Sequence, residues 1–365
     1  MQRRTNSIQN RRGLPAKIIA ALLISMLAIG TTGCAGDQAA GQDAEETEVV
    51  ELKLAHFWPA SHPIETQLVQ LWAKDIELAT DGKVKIVSYP GETLVKAADI
   101  YDGVVNGISD VGISCFAYTR GRFPVLEVFE LPGIIYNNST VASNVAWEGI
   151  QTLNPPEVQD TKLMMVITTG PGDLFTQTPV KTLADIEGMQ IRATGLSAKT
   201  LAALGASPVA MAQSEAYESL SKGVVKGNLG PVEVLKGWKQ AEVTKYITRT
   251  PFLYNTLFFV TMNADTWNSL SPEVQAAIEE VNAKHFAETA SGLWDAQNSE
   301  ALAYAVDEQG MEVITLDDAE AAQWIDLVTP VQQDFIDAMA AQNLDGQEII
   351  DEVKALADKY NAMYE

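Results

Sequence analysis

His56, His62, His285, Cys34, Cys115 and a few isolated bases are the residues that could do chemistry in this 365-residue chain. His56 and His62 stand six apart beside Trp58, Pro59 and Pro63. That spacing does not put both imidazoles on one helical face, so a shared metal is the weaker reading and pocket lining the stronger. His285 falls in a long helical pattern and reads as structural. Cys115 lies in the apolar run ISDVGISCF with no nearby base, the setting of a small buried side chain rather than a nucleophile. The acids are scattered, and HExxH, P-loop, GxSxG and EF-hand patterns are missing, as is a strand-positioned GxGxxG. No catalytic group, cofactor or metal is expected. Arg192, in GMQIRATG, is the best candidate. An arginine closing an apolar strand, followed by small residues, can reach into the space at a sheet edge, where its planar fork matches a carboxylate. The alternative is a surface arginine paired with a neighbouring acid.

The elements that would position it alternate in type. VVELKLAHFW has strand periodicity, and PIETQLVQLWAKDIELAT has helical spacing through Leu68, Leu71, Trp72 and Ile76. KVKIVSYPG, AADIYDGVVNG and ISDVGISCF continue as strand, helix and strand, the order of an α/β protein. A second α/β group runs from about Lys162 to Asn255, with strands predicted at Leu163–Thr168, Met189–Arg192 and Gly227–Gly230. Leu257–Asn263 reads as a return strand. Ser271-Pro272-Glu273 is a strong helix start, and helical pattern continues to Gly310, either as one long helix or as two broken near Gly292. A last strand is predicted at Met311–Leu316, followed by helices.

The amino terminus carries Arg3, Arg4, Arg11, Arg12 and Lys17 ahead of the apolar run Ile18–Ile29, then Gly-Thr-Thr-Gly-Cys34. A basic start, a short apolar core and small residues make residues 1–33 a secretory signal peptide, too short to remain as a spanning helix. Small residues running into a cysteine resemble a bacterial lipoprotein cleavage box with Cys34 lipidated, although Thr31 stands where leucine is usual. Residues 34–48, acidic and without apolar periodicity, read as a flexible tether. The chain has 48 acids against 25 bases and a net charge of −23, and loss of the five bases of the signal would make it more negative still. Such a surface excludes nucleic acid as a partner and disfavours anionic lipid, so a membrane would be held through the lipid on Cys34. The charge says nothing against an anionic small molecule met by one internal arginine.

LADIEGMQIRATG and LGASPVAMAQSEAYESLSKGVVKGNLGPVE, together with DGKVKIVSYPG, GVVNGISDVGIS, FELPGII and TMNADTWNSLSPEVQAAI, resemble the substrate-binding proteins of tripartite ATP-independent periplasmic (TRAP) transporters, of the dicarboxylate-binding type. The likeness covers nearly all of residues 50–310. It implies a periplasmic-binding-protein-like α/β fold, with mixed sheets flanked by helices in two domains and a long helix spanning both. The ligand would sit in the interdomain cleft. Lobe I would hold residues 49–168 and 256–296, and lobe II residues 169–255 and 297–365. The implied function is that of a receptor, not an enzyme: a periplasmic protein that captures an organic acid, expected here to be a monomer anchored through the lipid on Cys34, although many members are freely soluble. It would deliver the acid to the small and large TRAP membrane subunits, driven by an ion gradient. The same fold serving as a ligand sensor for a signalling receptor is the alternative.

The resemblance also places residues. The hallmark arginine that pairs with the ligand carboxylate falls on Arg192, a matching asparagine on Asn255, and a pocket position on Gln213. Gly230, with Leu229 ahead of it, stands where asparagine is frequent before the proline. The second arginine of sialic-acid-binding relatives has no counterpart in GPGDLFTQT, and a glutamate of theirs falls near Cys115 and Phe116. With Phe57, Trp58, Phe116, Phe175, Leu229, Tyr254 and Asn255 expected around one arginine, the ligand would be a monocarboxylate with an aromatic or apolar body. A C4-dicarboxylate is the alternative, with Lys96, Arg120 or Arg122 supplying a second charge.

Overall fold

Alternation in the first strand places Leu52 and Leu54 inside, and the same logic repeats along the chain until two helix-flanked sheets are built. The computed structural model describes residues 49–364; the signal peptide, Cys34 and the acidic tether lie outside the described residues. The strands are β1 (Val50–His56), β2 (Val84–Tyr89), β3 (Val111–Cys115), β4 (Thr161–Thr168), β5 (Asp173–Thr176), β6 (Gln190–Ala193), β7 (Ser207–Ala210), β8 (Gly227–Gly230), β9 (Tyr246–Arg249), β10 (Leu257–Asn263) and β11 (Glu312–Thr315). The first sheet has the order β2-β1-β3-β10-β4, with β10 antiparallel to both neighbours. The second is β11-β9-β5-β8-β6-β7, with β5 antiparallel to β8 and β9. The mixed α/β architecture is the expected one.

β5, β7 and β9 are absent from the sequence reading. None of the three alternates in burial: β9 buries its two central residues, β7 exposes its two ends, and β5 is buried at every position. Within it, Leu174 enters the apolar cluster on one face of the second sheet, with Ile191, Leu229 and Trp324. Phe175 enters the cluster on the other face, with Val234, Ile247 and Ala301.

Two segments cross between the sheets, from β4 to β5 and from β9 to β10. They run side by side: Thr169 N–H donates to Thr256 O at 3.1 Å and Gly172 N–H to Tyr254 O at 2.9 Å. Gly172 is glycine for lack of room, since a Cβ there would meet Gly230 O at 2.6 Å. The helical stretch after Ser271 is a third crossing. It comprises a helix Pro272–His285, a π-helical turn Phe286–Ala290, a break at Ser291-Gly292, a helix Leu293–Ala303 and a second π-helical turn Tyr304–Glu308. Its last helix passes from the first sheet's core at Trp294 to the second sheet's at Ala301.

The carboxy-terminal segment departs from the expected division. Asp318–Val328 packs on the second sheet through Trp324 and Val328, but the helices Pro330–Ala340 and Gly346–Met363 return to the first. Val331, Phe335, Met339, Ile350 and Val353 join the core that contains Trp58 and Trp294. The assignment of 297–365 to the second lobe is corrected accordingly. An amphipathic helix shows that it has an apolar face, not which sheet that face covers.

Candidate functional site

Arg192 is the third residue of β6. Ile191 and Ala193 on either side point into the second sheet's core, so alternation turns the guanidinium to the opposite face. Arg192 is 2% exposed. Its Nε donates to Met211 O at 3.1 Å, and its Nη1 and Nη2 make long contacts of 3.4 Å to Asn228 Oδ1 and the Tyr118 hydroxyl. Asn228 is its register partner on β8, and Asn228 Nδ2 donates to Gln240 Oε1 at 2.9 Å, which aims Oδ1 at the arginine. None of the ion pairs among the described residues includes Arg192. A buried cation held only by neutral acceptors is costly, and a ligand carboxylate is the group that would offset that cost.

The first lobe closes over it through the turn after β3. The Tyr118 hydroxyl, brought by that turn, accepts from Gln213 N–H at 2.8 Å and so joins the two lobes. Phe57 stacks on Trp58 at 3.9 Å between centroids, meets Tyr118 edge-on at 5.6 Å and faces Trp238 at 6.1 Å; Phe258 lies 5.3 Å from Trp58. At the far side His62 Nε2 lies 3.2 Å from Glu233 Oε2, a buried contact between residues 171 apart. Arg192, these aromatic rings and Glu233, but not His62, line a narrow cavity of about 30 Å³, room for a water or two. As it stands the cavity is too small for a ring-sized ligand.

Of the residues expected at the site, Arg192, Gln213, Phe57, Trp58, Cys115 and Tyr254 line this cavity. The Cys115 thiol is pushed up in pKa by burial and then by nearby Glu130, so it forms wall rather than nucleophile. Tyr254, whose hydroxyl is bonded to Thr256, is likewise pushed up by burial. The structure places the other five elsewhere. Leu229 points into the core because Asn228, its neighbour, takes the cavity side of β8. Phe175 lies on the far face of the second sheet. Phe116 packs edge-on against Phe123 at 4.8 Å and Phe259 at 5.1 Å and borders an adjacent cavity. Asn255 donates through Nδ2 to Phe129 O at 2.9 Å, holding the crossing segment. Gly230 offers backbone to Gly172.

Nor do the candidate second bases line it. Lys96 pairs with Glu92 on the surface, and Arg122 bonds Asp102 and Asp160 while covering the Tyr101 ring at 4.7 Å. Arg120 borders the adjacent cavity of about 320 Å³, with Glu127, Glu130 and Lys199. That space is larger, but its bases are exposed and water would screen them, whereas Arg192 is buried. His56 bonds Glu65 at 2.8 Å and His285 bonds Asp75 at 3.0 Å, as structural histidines do. No cluster of three metal-ligating side chains occurs among the described residues. Sequence reasoning missed Tyr118, Asn228, Glu233 and Trp238. For Asn228 the alternation of β8 was a usable signal; for Glu233, one acid among many, there was none.

The model of the bacterial extracellular solute-binding proteins, family 7, matches residues 54–338. A TRAP solute-binding protein from a marine metagenome, specific for aromatic acid ligands and solved with 3-hydroxybenzoate, superposes with a TM-score of 0.81 at 30% identity, covering 86% of this chain and 99% of that one. One from Bordetella bronchiseptica, solved with (R)- and (S)-mandelate, gives 0.79 at 30% identity, covering 85% and 99%. The C4-dicarboxylate-binding periplasmic protein of Rhodobacter capsulatus is 27% identical over 283 residues, 74% of this chain and 83% of its own.

Proposed function

Because the chain belongs to the bacterial extracellular solute-binding proteins of family 7, receptors of TRAP transporters rather than enzymes, we propose that its ligand is an aromatic monocarboxylate. The observation that supports this is the lone arginine of the cavity, 2% exposed and outside every ion pair among the described residues, set among Phe57, Trp58, Tyr118 and Trp238. The carboxylate would take the two ends of the guanidinium now held at 3.4 Å, and the ring would lie between the aromatic walls. A second carboxylate would meet no second base there, only Glu233, which repels it. Relatives solved with 3-hydroxybenzoate and mandelate support the same class.

Binding at both lobes would favour the closed form, and the closed receptor would hand its ligand to the TRAP membrane subunits. The basic, apolar and small-residue pattern of residues 1–34 supports export, with a lipid on Cys34 as the tether. No helix among the described residues is long and apolar enough to cross a membrane.

A thermal-shift screen tests the ligand class, since ligand at 100 times Kd adds about 2.7 kcal/mol of stability. Phenylacetate, benzoate and mandelate are expected to raise Tm. Stabilisation by succinate and malate alone would overturn the proposal in favour of C4-dicarboxylates.

A further inference from the structure

The end of the cavity away from Arg192 carries its own set of unmet hydrogen-bonding groups. Ile64 N–H donates to His62 Nδ1 at 3.2 Å, so the network assigns the ring proton to Nε2, which donates it to Glu233 Oε2. Glu233 Oε1 accepts no hydrogen bond among the described residues and, unlike Trp238 Nε1, is not fully buried; the residue lines the cavity. Its backbone is fixed, with Glu233 N–H donating to Asn298 Oδ1 at 2.9 Å on the crossing helix. Gly237 leaves room for the pair, because a Cβ there would meet Glu233 Oε2 at 2.7 Å and His62 Nε2 at 3.0 Å. Trp238, whose ring lies 6.0 Å from His62, has a buried indole N–H with no acceptor, and it lines the same cavity. The arrangement therefore pairs one carboxylate acceptor with one indole donor at this end. At the other, Gln213 Nε2 is buried without a partner beside Arg192's site.

We propose that Glu233, oriented by His62, and Trp238 form a hydroxyl-recognition pole, so that the preferred ligand is an aromatic monocarboxylate bearing a ring hydroxyl remote from its carboxylate. This rests on the aromatic-monocarboxylate reading above and adds a specificity determinant to it. A hydroxyl is the smallest substituent that can serve both partners, donating to Glu233 Oε1 while accepting from Trp238 Nε1. An ammonium only donates and would leave the indole unpaired, and a second carboxylate only accepts and would face Glu233. The two poles are separated by ring packing: Arg192 touches Tyr118, Tyr118 packs on Phe57, Phe57 faces Trp238, and Trp238 adjoins His62. The ring of the ligand would span this aromatic stretch with carboxylate and hydroxyl at opposite ends. Without the hydroxyl, closure would leave the buried indole N–H unpaired and the Glu233 carboxylate facing the ring with no donor, which is how a polar site rejects the analogue that lacks its group.

Calorimetry with phenylacetate, 3-hydroxyphenylacetate and 4-hydroxyphenylacetate tests this on the wild type and on Glu233→Gln, which keeps shape and removes the charge. In the wild type at least one hydroxy acid is expected to bind about tenfold or more tighter than phenylacetate. In Glu233→Gln that advantage is expected to fall below about threefold. Trp238→Phe, which keeps a ring and deletes the donor, is the second variant should the first fail to fold, and it is expected to shrink the same ratio. Equal affinities for all three acids in the wild type, or an advantage undiminished in the folded variants, would overturn the hydroxyl pole while leaving the arginine site standing. Tighter binding of 3-(aminomethyl)phenylacetate than of either hydroxy acid would show a cation pole instead and overturn it too. Failure of every aromatic acid to bind would overturn the aromatic-monocarboxylate reading, and this proposal with it.

Discussion

Replacing Arg192 with methionine should move ligand affinity and ligand-free stability in different directions. The guanidinium is 2% exposed, has one well-formed hydrogen bond, at 3.1 Å to Met211 O, and reaches two further acceptors only at 3.4 Å. Methionine keeps much of the volume and removes the charge. Without ligand, the loss of one good hydrogen bond and the unpairing of neutral acceptors costs about 1–2 kcal/mol. Removal of a buried cation with no carboxylate partner returns several kcal/mol of desolvation. The net change in stability is therefore close to zero or favourable, and Tm without ligand should not fall. With ligand, truncating one side of an enclosed charge pair costs about 2–5 kcal/mol, roughly 30-fold to a few thousand-fold in Kd. Arg192→Lys should fall between the two, because it keeps the charge and loses the fork. Calorimetry with phenylacetate gives the affinities and a melt of the ligand-free proteins gives the stabilities. Affinity retained within about tenfold would refute the carboxylate role. A ligand-free Tm lowered by more than about 8 °C, several kcal/mol for a chain of this size, would show that the arginine holds the fold instead.

Two further outcomes follow from the same geometry. Tyr118→Phe removes the hydroxyl that accepts from Gln213 N–H across the lobes and stands beside Arg192; calorimetry should show affinity lowered by about 1 kcal/mol, roughly fivefold, and an unchanged Kd would show that this contact does not help closure. Burial pushes the Glu130 carboxyl from its ordinary 4.5 up to about 8, with Glu127 adding to the shift, against a hydrogen bond from Leu257 N–H. The folded state thus holds that proton where the unfolded chain has lost it, so stability is full below pH 4.5 and falls as pH rises toward 8. The loss is on the order of 5 kcal/mol at most. Glu130→Gln keeps the acceptor for Leu257 and should flatten denaturation midpoints between pH 5 and 8.5; an unaltered slope would refute the burial argument.

Much of the fold was legible from local pattern. β10 begins and ends where apolar periodicity placed it, and the helix after Ser271 starts at its cap and proline. The break at Gly292 was one of two readings, and Gly292 has left the helical conformation at ψ 6°. Three second-sheet strands were illegible because none alternates in burial, and β5 is buried on both faces.

At the site, the amino-acid sequence by itself determined the type of chemistry. It offered one strand-borne arginine, aromatic residues enough to wall it, and no nucleophile–base pair or metal-ligand spacing. Only the tertiary structure decided which side chains share the cavity. The period of two assigns Asn228 rather than Leu229, but only once β8 is paired with β6 and the face is known. Glu233 and Trp238 carry no local signal at all, since their meaning comes from His62, 171 residues before Glu233. Lys96, Arg120 and Arg122 looked equally able to supply charge, and folding engaged or exposed each of them away from the cavity. The physical reason is that a residue's propensity and period are properties of a short segment. The desolvation that makes one arginine a binding site is a property of everything packed around it.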